Sequence, residues 1–228
     1  MGRAQPRRTV SRPRHRCLLG AVLILLLATG LRLAQLDAQS FWNDEGNTAR
    51  LVERSLPLIL EGAAGDIHPP GYYLALHGWR ALVGETEYAL RAYSAFCGIL
   101  TVAVGAAVGR RIGGWSTALG AALVLAVHPL AVNYSQEARM YAQLGLATAL
   151  TLWLSVALLR STARSARPRL RLLVGLGLAI ALGLYTHYAY GLALVGMNGA
   201  FLITWLVIGG RRWRLLLATL LTAQWNPI

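Results

Sequence analysis

Long apolar runs, broken by short Arg-rich stretches, organise this chain. The first run covers residues 17–36. Twenty helical residues reach about 30 Å, the thickness of a bilayer's hydrocarbon core. The run is long for the apolar part of a signal peptide, and more such runs follow, so it predicts an uncleaved first transmembrane helix. Later runs predict spans at 90–109, 114–132, 140–159, 170–187 and 189–208, with one more starting at 213. Residues 37–89 are mixed in polarity. Within them, 48–60 and 72–83 read as amphipathic helices lying on the membrane. The stretch 72–84 looks apolar, but a dozen residues reach only about 18 Å, and it holds His77, Trp79 and Arg80.

Composition sharpens this picture. Of the 228 residues, 56% are hydrophobic and only 14% charged. A soluble domain is nearer a quarter charged. The balance excludes a disordered chain, a disulfide scaffold and an ordinary soluble domain. It leaves an all-α polytopic membrane protein. The net charge is +13, with 22 Arg and no Lys. Those Arg sit mostly at the ends of apolar runs, which marks topology and not a nucleic-acid surface.

Sixteen of the Arg fall in four clusters: residues 3–16, 110–111, 160–171 and 211–214. If 72–84 stays out of the bilayer, the positive-inside rule places all four clusters in the cytoplasm. The expected organisation is a cytoplasmic tail at 1–16, a first span at 17–36 and an exoplasmic loop at 37–89. Transmembrane helices 2–7 then occupy 90–228. The last residues interrupt what reads as a span, so the chain is expected to be part of a longer protein. With that topology all nine acids fall on the exoplasmic side. Acids do little to set topology, so the asymmetry points to a polar site on the outer face. Cys17 and Cys97 have no metal-ligand spacing and are expected as free thiols.

Four polar clusters meet at that face. Asp44 and Glu45, in Phe41-Trp42-Asn43-Asp44-Glu45-Gly46, offer a general base with an orienting partner. The plainer reading has Asp44 capping a helix and Glu45 complementing its dipole. In Asp66-Ile67-His68-Pro69-Pro70-Gly71-Tyr72-Tyr73, His68 is a candidate for binding phosphate or metal, or simply an exposed loop histidine. In Asn133-Tyr134-Ser135-Gln136-Glu137-Ala138-Arg139-Met140-Tyr141, Ser135 is a candidate N-cap. Glu137 and Tyr141 would then share a helix face, and a first-turn Glu is favourable in itself. In Tyr185-Thr186-His187-Tyr188 an interfacial aromatic belt explains the tyrosines but not His187. Arg91 joins the set from the outer end of its span, where simple snorkelling is the alternative. There is no Gly-rich phosphate loop and no paired Cys/His framework.

Together, in this order and spacing, these motifs resemble the N-terminal module of GT-C glycosyltransferases. The nearest branch groups protein O-mannosyltransferases with the aminoarabinose transferase of lipid A, and the resemblance covers about residues 18–210. It implies a transmembrane helical bundle with juxtamembrane helices in the first exoplasmic loop. It also implies a polyprenyl-phosphate sugar as donor, an acceptor glycan, lipid or protein, and a site on the outer face of a bacterial inner membrane. Nucleic acid is not an expected partner. By this resemblance Asp44, with Glu45, is catalytic. Arg139, His187, Arg91 and His68 would receive the leaving phosphate. Glu137, Tyr141 and Tyr188 would bind substrate. Some relatives bind a divalent cation, which His68 and a neighbouring carboxylate could hold here. The rival from another class is a multi-pass transporter or lipid flippase. It should place polar residues near the membrane midplane, often in repeated halves. This sequence gathers them at one face and shows no repeat.

Overall fold

The computed structural model describes residues 14–65, 68–162 and 170–208. The tail before Arg14, Asp66, Arg164, Arg167, Arg169, Arg211, Arg212, Arg214 and the span expected from 213 lie outside them. All regular structure among the described residues is helical. Helix α1 is Arg14–Leu33, α2 Asn43–Val52, α3 Leu56–Ala64, α4 Gly71–Val83 and α5 Glu87–Val127. Then follow α6 Pro129–Asn133, α7 Tyr141–Thr162, α8 Leu170–Thr186 and α9 Tyr190–Ile208. Three of these, α1, α5 and the Tyr141–Ser161 part of α7, are long and apolar enough to cross a bilayer. The shorter Leu170–Thr186 and Tyr190–Thr204 stretches are apolar too. The chain is thus an all-α polytopic membrane protein.

Helix α5 is a hairpin. Its 41 residues turn back at Gly114, whose φ of 81° lies in the left-handed region open to glycine. The two arms pack closely: a Cβ on Gly109 would lie 2.7 Å from the Thr117 carbonyl oxygen. The Arg110-Arg111 linker expected between two spans is therefore helical, and the reversal needs a single residue. Arg110 and Arg111 lie over the rings of Trp115 and Trp153 at 4.4 and 4.5 Å, a cation–π contact at the turn.

The span expected at 114–132 stops early. Val127 ends the second arm, His128 is extended, and Pro129 opens the separate short α6. Likewise α1 ends at Leu33, because Gln35 takes a left-handed φ of 58°. The amphipathic helix expected at 48–60 is two helices. It breaks at residues 53–55, where Ser55 becomes an N-cap and Pro57 enters the first turn of α3.

Helix α5 packs between α1 and α7, and α8 packs on α7. Small side chains make the first contact close, with Ala28 of α1 against Ala122 and Ala126. At the opposite end from Gly114, α2, α3 and α4 form a platform with its own core. Val52, Ile59, Tyr72 and Leu76 are fully buried there and meet Leu90 of α5 and Met140. This platform holds the polar clusters over the ends of α5, α7 and α8.

Candidate active site

Residues 133–140 are the hub. Asn133 ends α6, and 134–140 form turns and bends, not the start of α7. Ser135 is therefore no N-cap; its hydroxyl donates back to the Ala131 carbonyl. Glu137 and Tyr141 do not share a helix turn, because α7 begins only at Tyr141. A tight turn at Ala138 brings the Arg139 N–H to the Glu137 carbonyl at 2.8 Å.

The turn is clasped by the first turn of α2. Its N-cap is Trp42, without a side-chain cap. Asp44 and Glu45 lie inside the helix, so the capping reading of Asp44 does not apply. Glu45 is 1% exposed. Its Oε1 accepts from the Ala138 N–H at 2.7 Å and from Arg91 Nε at 2.9 Å, and Oε2 accepts from Arg91 Nη2 at 2.6 Å. Arg91 donates its remaining N–H groups to the carbonyls of Leu36, Gln39 and Ser40. A guanidinium has five N–H donors, and here each faces a protein acceptor. Arg91 also lies over the Phe41 ring. It fixes the path of the chain between α1 and α2 and does not snorkel.

Arg139 is held quite differently. Its guanidinium makes three long contacts: Nη2 to Asp44 Oδ2 at 3.5 Å, and Nη1 to the Asp44 carbonyl and the Thr48 hydroxyl at 3.4 Å each. Such lengths are at the weak limit of hydrogen bonding. Its Nε is buried with no partner. The Asp44 side chain is 42% exposed while that of Arg139 is 8% exposed. The pair therefore consists of an accessible carboxylate on a loosely engaged, recessed cation.

The histidines complete this side. The rings of His68 and His187 meet edge to face at 5.2 Å, and Tyr141 lies 6.2 Å from His187. Close approach of α4 and α8 allows this. A Cβ on Gly71 would lie 2.5 Å from the Tyr185 carbonyl oxygen. His187 Nδ1 accepts from the Ala189 N–H at 3.0 Å, so the neutral ring carries its proton on Nε2. Burial, with His68 and Arg139 nearby, pushes the His187 imidazolium below the ordinary histidine value. Burial pushes the Glu137 carboxyl above the usual carboxylate range, against the hydrogen bond it accepts from Asn133 Nδ2 at 2.9 Å. Tyr188 is exposed and stands apart from these contacts.

The sequence reading did not nominate Gln136, Ser94, Gln143 or Arg32. Gln136 Nε2 donates to the Leu31 and Ala34 carbonyls at the end of α1, at 2.9 and 3.0 Å. Ser94 donates to the Arg139 carbonyl. Gln143 links the Tyr93 hydroxyl to Thr186, joining α5, α7 and α8. Arg32 is fully buried and donates to the Leu125 and Ala126 carbonyls. A cation in the last turn of an apolar span was the available signal for Arg32. Among the described residues no three His, Cys, Asp or Glu side chains converge as metal ligands. Asp66, the carboxylate nearest His68 in sequence, lies outside the described residues.

Comparison with known families places this chain among the membrane glycosyltransferases of GT-C type. The match is to the dolichyl-phosphate-mannose-protein mannosyltransferase family over residues 67–224, and the chain belongs to that family. It is a membrane glycosyltransferase of the mannosyltransferase type. The matched stretch holds His68, Arg91, Glu137, Arg139, Tyr141, His187 and Tyr188, while Asp44 and Glu45 precede it. No curated protein and no solved structure matches the chain.

Proposed function

We propose that this protein transfers a sugar from a polyprenyl-phosphate donor to an acceptor hydroxyl, with inversion, at the exoplasmic face of a bacterial inner membrane. The observation that carries the reading is the Asp44–Arg139 pair. An accessible carboxylate stands beside a cation whose donors are poorly used.

Asp44 takes the proton of the acceptor hydroxyl as that oxygen attacks the anomeric carbon. The bond from the anomeric carbon to the phosphate oxygen breaks, and the lipid phosphate leaves with the electron pair. Its developing charge needs hydrogen-bond donors that can be aimed at it in a site of low dielectric. Arg139 can re-aim its loosely held N–H groups, and neutral His187 can donate from Nε2. Arg91 has four of its five donors engaged at 2.6–2.9 Å, so it acts with Glu45 as a positioning pair. Glu45 also holds the Ala138 amide and thereby sets Arg139 against Asp44. His68 meets the His187 ring edge to face, and Tyr141 lies 6.2 Å from that ring. Tyr188, exposed near the outer ends of α8 and α9, is assigned to the lipid chain of the donor.

The test uses membranes carrying the protein and a panel of radiolabelled polyprenyl-phosphate sugars, with nucleotide sugars as controls. Transfer from a polyprenyl-phosphate donor, and none from a nucleotide sugar, is expected. Inserted protein that transfers from no donor but moves labelled lipid across the bilayer would overturn the reading in favour of a flippase.

A further inference from the structure

The 133–137 turn has a second side. Between it and the 34–42 segment lies a cavity of about 280 Å³. Its floor is the buried Leu36, Glu45 and Arg91, and its rim carries the exposed Gln35, Gln39 and Trp42. Asn133, Gln136 and Glu137 close it opposite. Neither Asp44 nor Arg139 lines it.

We infer that this cavity binds one sugar ring of the acceptor, neutral or amine-bearing but not phosphorylated. The inference rests on the glycosyltransferase reading above. Four observations lead to it. The first is size: drug-sized ligands occupy ~300–1,000 Å³, so a cavity slightly smaller suits a single ring. The second is chemistry. Trp42 is 47% exposed at the rim and offers a flat apolar face to the C–H face of a sugar. Gln35 and Gln39 each carry an amide donor and an amide acceptor, and Asn133, whose Nδ2 donates to Glu137, adds its amide oxygen; a sugar hydroxyl is both donor and acceptor.

The third observation is charge. Arg91 is neutralised by Glu45, and four of its five donors are held at 2.6–2.9 Å while the fifth faces the Ser40 carbonyl at 3.4 Å. The remaining ionisable group on the wall is the Glu137 carboxyl. A phosphate would meet no available cation there, whereas an amine would meet a carboxylate. The fourth is preorganisation. The Gln136 amide nitrogen donates to the carbonyls of Leu31 and Ala34, which fixes the wall beside Gln35. The floor residue Glu45 directly follows Asp44 on α2. Asp44 lies outside the cavity, so with a ring seated over Glu45 it is the neighbouring unit of the acceptor, beyond the rim, that has to reach the proposed base. The turn thus divides the outer face into a cationic side for lipid phosphate and an electronegative side for the acceptor sugar.

The test is saturation-transfer NMR on the full chain in nanodiscs, with three probes: methyl glucoside, methyl glucosaminide and methyl glucoside 6-phosphate. The first two should bind saturably, the aminoglycoside several-fold tighter, and the phosphate should not. Ala38→Trp, which fills the cavity from its lining, should raise Kd at least tenfold. Trp42→Leu should do so independently. Glu137→Gln should remove the preference for the amine. Asp44→Asn should bind all probes as wild type does while losing transfer.

Phosphorylated glycoside binding as well as the neutral one would overturn the inference. So would binding that ignores both Ala38→Trp and Trp42→Leu, or efficient transfer to a peptide hydroxyl that the glycosides do not inhibit. If glycoside binding follows the cavity variants but no donor supports transfer, the cavity stands and the transferase reading falls. If transfer occurs and binding ignores the cavity variants, the cavity alone falls.

Discussion

Arg91 closes on Glu45 as a bidentate pair, at 2.9 and 2.6 Å, across 46 residues of sequence. Both are almost fully buried. Burial makes the pair asymmetric in its consequences. Keeping both charges is roughly neutral against an apolar substitute, while leaving one alone is costly, on the order of 3–5 kcal/mol. Glu45→Ala and Arg91→Ala should each lower the thermal midpoint of the detergent-solubilised protein sharply. Glu45→Leu with Arg91→Met should lose clearly less than the two single losses added together. Additive losses would show that the pair is not coupled.

Arg139 should behave as a reaction residue and not as a clamp. Its contacts run from 3.4 to 3.5 Å, so little stability rests on them. Arg139→Ala should leave the melting midpoint within a few degrees of wild type and reduce kcat by about 10²–10³, the scale of losing one preorganised donor. Arg139→Lys keeps a charge but loses the planar fork and should recover part of the rate. A large drop in midpoint with an unchanged kcat for the folded fraction would assign Arg139 to the frame.

The sequence presents Arg91 and Arg139 alike, each as a lone cation at the outer end of an apolar helix. Only the fold separates them, because the partner that saturates Arg91 is Glu45, remote in sequence. The apolar helices α1, α7, α8 and α9 were legible within a few residues, since burial in a membrane writes itself as long apolar runs. The single-residue reversal at Gly114 was not, because helix and turn there share the same composition. The break at residues 53–55 was missed although Pro57 marked it. Ser135 matched an N-cap by type, but clasping of the Ala138 turn by Glu45 delays the helix to Tyr141. The topology set by the Arg clusters put Asp44, Arg139, His68 and His187 at one face, and the distances that separate their roles come only from the fold.

His187 and Glu137 shift in opposite directions. His187 has its folded value lowered, so the unfolded state binds its proton first as pH falls. It therefore removes stability as pH drops through about 6.5, the free histidine value. Its neutral, donating form should persist to lower pH, which extends activity on the acid side. A ¹³C-histidine titration should give His187 a midpoint below that of free histidine; a higher one would contradict the neutral role. Glu137 has its folded value raised, so it contributes stability at low pH that is lost as pH rises through the folded value. Glu137→Gln should flatten that part of the stability profile.

Gly71 and Gly78 provide an internal control on α4. A methyl on Gly71 meets the Tyr185 backbone, which cannot yield as a side chain would, whereas one on Gly78 meets nothing within 4 Å. Gly71→Ala should cost about 1–3 kcal/mol, as overpacking does, and slow transfer by separating His68 from His187. Gly78→Ala should be neutral or stabilise by up to about 1 kcal/mol through helix propensity. Thermal melts and transfer assays on the two variants check this; equal behaviour would show that the α4–α8 approach is loose.

The most direct test is the transfer rate of Asp44→Asn against wild type, at equal amounts of inserted, folded protein. Asp44 is part-exposed and weakly paired, so the substitution should change stability by less than about 1 kcal/mol. As the general base it should cost about 10²–10⁴ in rate. A folded Asp44→Asn protein that transfers sugar at the wild-type rate would contradict the account.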